Sequence, residues 1–120
     1  MSSPTEKPES EAATLLAWLE QLQSLQTACR QGQITIAQEQ YQVVHQVYQT
    51  QIVTSALLGS GSQNQRLLTE IHRRLRLLET QFLFLKAARS PAKQQQQQTL
   101  LVEHLSAILE FGQAILAENR

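Results

Sequence analysis

An all-α fold, an antiparallel four-helix bundle with a long third helix, is what this sequence predicts. Three observations lead there. Apolar residues recur at alternating spacings of three and four through four separate stretches, which puts each set on one face of a helix. Short breaks at Gly32, Gly59–Gly61 and Ser90–Pro91 separate the stretches, so consecutive helices must fold back on one another. The polar positions between are filled largely by glutamine, twenty in all. Glutamine is a good helix former that solvates a face without charging it.

The elements follow in chain order. Residues 1–10, MSSPTEKPES, hold two prolines and three serines and predict a disordered lead, because they offer nothing to bury. A single helical-bundle domain is expected over 11–118. Ser10 is a candidate N-cap with Glu11 in the first turn. Leu15, Trp18, Leu22, Leu25 and Cys29 form the stripe of the first helix, and Gly32 is placed to end it as a C′ glycine. Thr35 is a candidate cap for the second helix, whose looser stripe is Ala37, Tyr41, Val44, Tyr48, Ile52 and Leu58. Its β-branched residues lower helix propensity, so packing must stabilise it. A strand over YQVVHQVYQTQIV is the alternative, and it lacks a hairpin partner.

Gly59-Ser60-Gly61-Ser62 is the clearest break. Ser62 or Asn64 can cap the third helix, which runs to about Arg89, roughly 40 Å at 1.5 Å per residue. Leu68, Ile71, Leu75, Leu78, Phe82 and Leu85 mark its core face. Arg66, Arg73, Leu77, Thr80 and Phe84 form a second stripe roughly 150–180° away. Ser90-Pro91 ends or kinks this helix. Gln94–Gln98 reads as a solvated first turn of the fourth helix. Leu101, Leu105, Ile108, Gly112 and Ile115 supply its stripe, and Gly112 within it points to close approach of another helix.

Charge and chemistry narrow the function. Charged residues are 17 % of the chain, below the usual quarter or so, and the net charge is zero. Residues 1–65 carry two basic and five acidic groups (−3), 66–93 seven and two (+5), and 94–120 one and three (−2). A chain-wide nucleic-acid footprint is absent, although a local basic patch exists. Cys29 is the single cysteine, which excludes an internal disulfide and suits a reducing, cytoplasmic setting. No apolar run reaches the roughly 20 residues of a membrane span, and the N-terminus lacks a signal-peptide pattern.

His45, His72 and His104 have no carboxylate or second histidine four residues away, so the helical di-metal pattern is missing and no metal or cofactor is expected. The GSGS segment lacks the lysine of a phosphate loop. An all-α chorismate mutase would need a basic residue early in its first helix, and none lies between 11 and 29. The chain is therefore expected not to be an enzyme.

Arg66, Arg73, Arg76, Leu77 and Phe84 are the candidate partner-binding residues. Arginine beside an apolar anchor is common in protein interfaces, whereas a plain solvated face would use Arg66–Glu70 as a pair of about 0.2–0.5 kcal/mol. Leu77, Leu83 and Phe84 left in water would expose more apolar surface than a monomer needs, and a symmetric homodimer is the simplest cover. Nucleic-acid association through Arg66, Arg73, Arg74, Arg76, Lys86, Arg89 and Lys93 is the alternative. It lacks a helix-turn-helix pattern and basic support from other helices.

RRLRLLETQFLFLKAAR at 73–89, then Pro91 and LLVEHLSAILEFGQAIL, resembles the PatD family of cyanobacteria, small helical regulators of heterocyst frequency. The resemblance covers mainly 66–117. It implies a non-enzymatic cytoplasmic regulator whose partner is FtsZ, the tubulin-like division GTPase, with assembly of that partner modulated and division linked to heterocyst differentiation. The matching positions are Arg73, Leu75, Arg76, Leu77, Leu78, Glu79, Phe82, Phe84 and Arg89. The glutamine tract and proline-rich lead depart from the family pattern.

Overall fold

The computed structural model describes residues 8–54 and 62–118. Within them the chain forms α1 (Pro8–Arg30), α2 (Ile34–Val47) continued by a π-helical turn (Tyr48–Ile52), α3 (Ser62–Ala87) and α4 (Pro91–Glu118). The fold class is all-α, and no strand occurs among the described residues. Residues 1–7 of the expected lead lie outside the described residues, as does Leu58.

α1 begins at Pro8, ahead of the expected Ser10 cap. Proline suits the first turn, where its missing N–H would have no partner anyway. Leu15, Trp18, Leu22, Leu25 and Cys29 are all buried. At the far end Gly32 takes φ 72°, Gln33 N–H donates to the Ala28 carbonyl at 2.9 Å, and Gly32 N–H to that of Cys29 at 3.1 Å. Those two bonds make a Schellman cap, which needs the left-handed conformation glycine adopts freely.

α2 follows at once from Ile34, not from Thr35. The residue before it is Gln33, whose side chain makes no capping bond. Ala37, Tyr41 and Val44 turn inward, followed by Tyr48 and Ile52 in the π turn. That widening was not foreseen, and two side-chain donors reach carbonyls in the turns leading into it. The Trp18 indole N–H donates to the Val44 carbonyl at 2.9 Å, and the Thr50 hydroxyl donates to that of Gln46 at 2.8 Å. The Val44 carbonyl accepts from Tyr48 N–H as well, so the indole is a second donor to it.

α3 buries Ile71, Leu75, Leu78, Phe82 and Leu85, with Leu68 partly covered. It spans 26 residues and stops at Ala87, yet α4 is longer at 28. Ser90 caps the next helix, α4. Its hydroxyl accepts from Lys93 N–H at 3.1 Å, its carbonyl accepts from Gln94 N–H at 3.0 Å, and Pro91 holds the first helical position. The glutamine tract therefore lies inside α4 from the start, and it is not uniformly solvated. Gln98 Nε2 donates to the carbonyls of Cys29 and Arg30, which supplies the open C-terminus of α1.

Backbones approach closely along α3–α4, α1–α4 and α1–α2. Gly112 of α4 receives Leu19 of α1, and a methyl group at Gly112 would fall inside the Leu19 Cδ2 atom. The expected close approach is real. The fourth seam is different: α2 and α3 stand apart and are joined by long side chains. Tyr41 Oη donates to the Leu75 carbonyl at 3.0 Å, and Tyr48 Oη to that of Leu68 at 3.3 Å. One heptad along α2 matches one heptad back along α3, which fixes the pair as antiparallel. By length and composition Pro91–Ala117 is apolar enough to cross a membrane, but Leu101, Leu105, Ile108, Leu109, Ile115 and Leu116 of this helix are core.

Candidate functional site

The second stripe of α3 is only partly outward. Arg66, Arg73 and Arg76 are exposed and Phe84 is 53 % exposed, with Leu83 beside it at 64 %. Leu77 is half-buried. Arg74 and His104 meet across the α3–α4 seam, and that antiparallel register sets Leu101 level with Leu77. The same register sets exposed Gln94 level with Phe84. A buried apolar residue thus lies level with one anchor and an exposed polar residue with the other.

The arginines divide by role. Arg73 Nη2 pairs with Glu70 Oε2 at 2.9 Å, both exposed, so the expected Arg66–Glu70 pair gives way to an (i, i+3) pair. The hydrogen bond from Arg73 holds the Glu70 carboxyl below its ordinary value, slight desolvation opposes it, and the charges of Arg73, Arg74 and Arg66 add to the lowering. Arg74 turns inward: its Nη1 donates to His104 Nδ1 at 2.9 Å. A guanidinium can only donate, so that ring nitrogen accepts and the imidazole proton sits on Nε2. Burial lowers the His104 pKa first, and the Arg74 charge lowers it further. Arg76 is exposed.

One member of this surface was missed by sequence reasoning. Phe111, partly buried on α4, lines a shallow depression with Arg66, Thr69 and Glu70. It lies outside the core stripe of its own helix, which was its only sequence signal. Aromatic residues therefore mark the two ends of the α3 outer face, Phe111 near Arg66 and Phe84 farther along.

A second concavity follows the open α2–α3 seam. It encloses about 420 Å³ and is lined by Thr35, Gln38, Glu39 and Gln42 of α2 with Glu79, Leu83 and Lys86 of α3. Tyr41 and Phe82 form its floor, their ring centroids 5.5 Å apart. Burial, with a contribution from Glu79, pushes the Tyr41 phenol up to about 12. That phenol stays protonated as a donor.

Catalytic and metal readings find little. Cys29 is fully buried, and desolvation raises its thiol to about 11, opposite to what a nucleophile requires. No cluster of three or more metal-ligating side chains occurs among the described residues. A nucleic-acid face is weakened because Arg74 points inward, Arg73 is paired and Lys86 lines the seam. Compared with protein-family models, curated proteins and solved structures, the chain has no significant match.

Proposed function

We propose that this protein is a non-enzymatic helical regulator that works in the cytoplasm by binding a protein partner through the outer face of α3. One observation carries the reading: α3 spends its heptad face on the core, yet still holds Phe84 more than half exposed on the outward side of the same helix as exposed Arg73 and Arg76. Aromatic and guanidinium side chains are enriched among the residues that anchor protein interfaces. Leu77, being half-buried, supports that surface from beneath.

The resemblance of 73–89 and 100–116 to the PatD family makes FtsZ the first partner to test, with modulation of its assembly as the consequence for division and heterocyst differentiation. A homodimer through the same face is the competing occupant, because an isologous contact needs only one patch. Co-sedimentation with FtsZ polymers separates these outcomes. Wild type should pellet with the polymer, and Arg73→Glu combined with Phe84→Ala should stay in the supernatant with an unchanged helical spectrum. Equal partition of the two folded proteins contradicts the assignment. Mass by light scattering then reports whether the face is already covered by a second copy.

A further inference from the structure

The outer stripe of α3 is basic, whereas its other flank opens onto a groove of opposite character. Glu39 from α2 and Glu79 from α3 bring one carboxylate from each wall of the seam, above a floor of Tyr41 and Phe82. Leu83 forms an apolar lip that is 64 % exposed. Lys86 lines the groove as well and offsets one carboxylate, leaving the set net negative. The helices flanking this seam are held apart by the two tyrosine hydroxyl bonds, so the space between them is not closed by backbone approach as the other seams are. Two carboxylates flanking an apolar floor suit a guanidinium or ammonium group, which gains charge-assisted hydrogen bonds from the anions. Its aliphatic stem would lie along Leu83.

We infer that the α2–α3 seam is a docking groove for a cationic peptide segment, a basic side chain flanked by apolar ones, supplied by another protein. The groove is separate from the basic stripe proposed above and attracts the opposite charge. Charge complementarity selects this occupant. The stripe of a second copy is also basic, so self-association through the seam is the rival outcome.

Fluorescence anisotropy with a short fluorescein-labelled peptide of alternating leucine and arginine tests the inference, against the same peptide with glutamate in place of arginine. Wild type should bind the arginine peptide about ten-fold or more tightly than the glutamate peptide, with the difference shrinking at high salt. Glu39→Gln with Glu79→Gln should remove that preference, and Leu83→Asp should weaken binding of the leucine-bearing peptide relative to wild type. Both carboxylates are exposed, so the double variant keeps its fold. Arg73→Glu with Phe84→Ala should retain binding, which separates this groove from the FtsZ-directed stripe. The inference is overturned if neither peptide binds, if wild type does not discriminate, or if the double glutamine variant still does. It is also overturned if light scattering shows a dimer that Leu83→Asp dissociates, since the groove is then occupied by a second copy.

Discussion

Two seams of the bundle are built on opposite principles. Between α1 and α4 a glycine removes a side chain, and Leu19 fills the space over Gly112. Gln26 Nε2 adds bonds to the Val102 carbonyl at 3.1 Å and Ser106 Oγ at 2.7 Å, and Gln98 ties down the end of α1. Between α2 and α3 two tyrosines reach across, donating from their hydroxyls while their rings meet Phe82 and His72. Side-chain size at a few positions therefore sets which helices touch and which leave a groove. The tight seam is scaffold, and the propped one borders the exposed surface to which binding is assigned.

Substitutions can break this contrast, and the largest effect belongs to the tight seam. Gly112→Val should destabilise the protein by about 3 kcal/mol, because Leu19 is itself buried and cannot move far. Gly112→Ala should cost less, since improved helix propensity of about 1 kcal/mol offsets part of the clash. Urea unfolding of the two variants measures both. If Gly112→Ala were stabilising by its full propensity gain, the close contact would not exist.

Trp18 comes next. Its indole ties α1 to α2 one turn ahead of the π turn. Trp18→Phe keeps most of the apolar bulk but leaves the Val44 carbonyl without its second donor, at a cost of about 1–2 kcal/mol. A loss under about 0.3 kcal/mol would mean that the backbone alone serves that carbonyl.

Tyr41→Phe and Tyr48→Phe should each cost about 0.5–1 kcal/mol, because Leu75 and Leu68 keep their helical bonds when the hydroxyls go. The double variant should raise amide exchange along α2 and leave α1 and α4 unchanged. Equal acceleration in all helices would show the tyrosines to be general core residues, not props of one seam.

The smallest effect is one of pH. Because the folded His104 pKa lies below its ordinary 6.5, the unfolded chain takes up the proton first as pH falls. Stability present above about pH 6.5 is then lost on acidification until the folded-state imidazole titrates as well. His104→Gln keeps an acceptor for Arg74 and should flatten this part of the thermal midpoint profile relative to wild type. An unchanged profile would assign the acid sensitivity to other groups.

Much of the fold was legible because helical periodicity records which face is buried. The stripes of α1, α3 and α4 fell where the spacing put them, Gly32 ended α1, and Gly112 marked a close approach. Periodicity says nothing about how far apart two buried faces stand, so the open seam was invisible. The π turn was hidden for a related reason: Tyr48 and Ile52 keep the same inward-facing spacing that an unbroken α-helix would give them. Within the candidate site, Phe84 and the exposure of Arg66, Arg73 and Arg76 followed from the helical wheel. The inward turn of Arg74, the partial cover of Leu77 and the arrival of Phe111 depended on where α4 packs, which no local pattern in α3 encodes.

Residue-resolved native-state hydrogen exchange tests the contrast between the seams most directly. Amides of α2 and its π turn should exchange through openings well below the global unfolding free energy, at least about a hundred-fold faster than those of α1 and α4 near Leu22 and Leu105. Uniform protection across α1, α2 and α4, with every amide exchanging only on global unfolding, would contradict it and leave the α2–α3 seam as firm as the rest of the core.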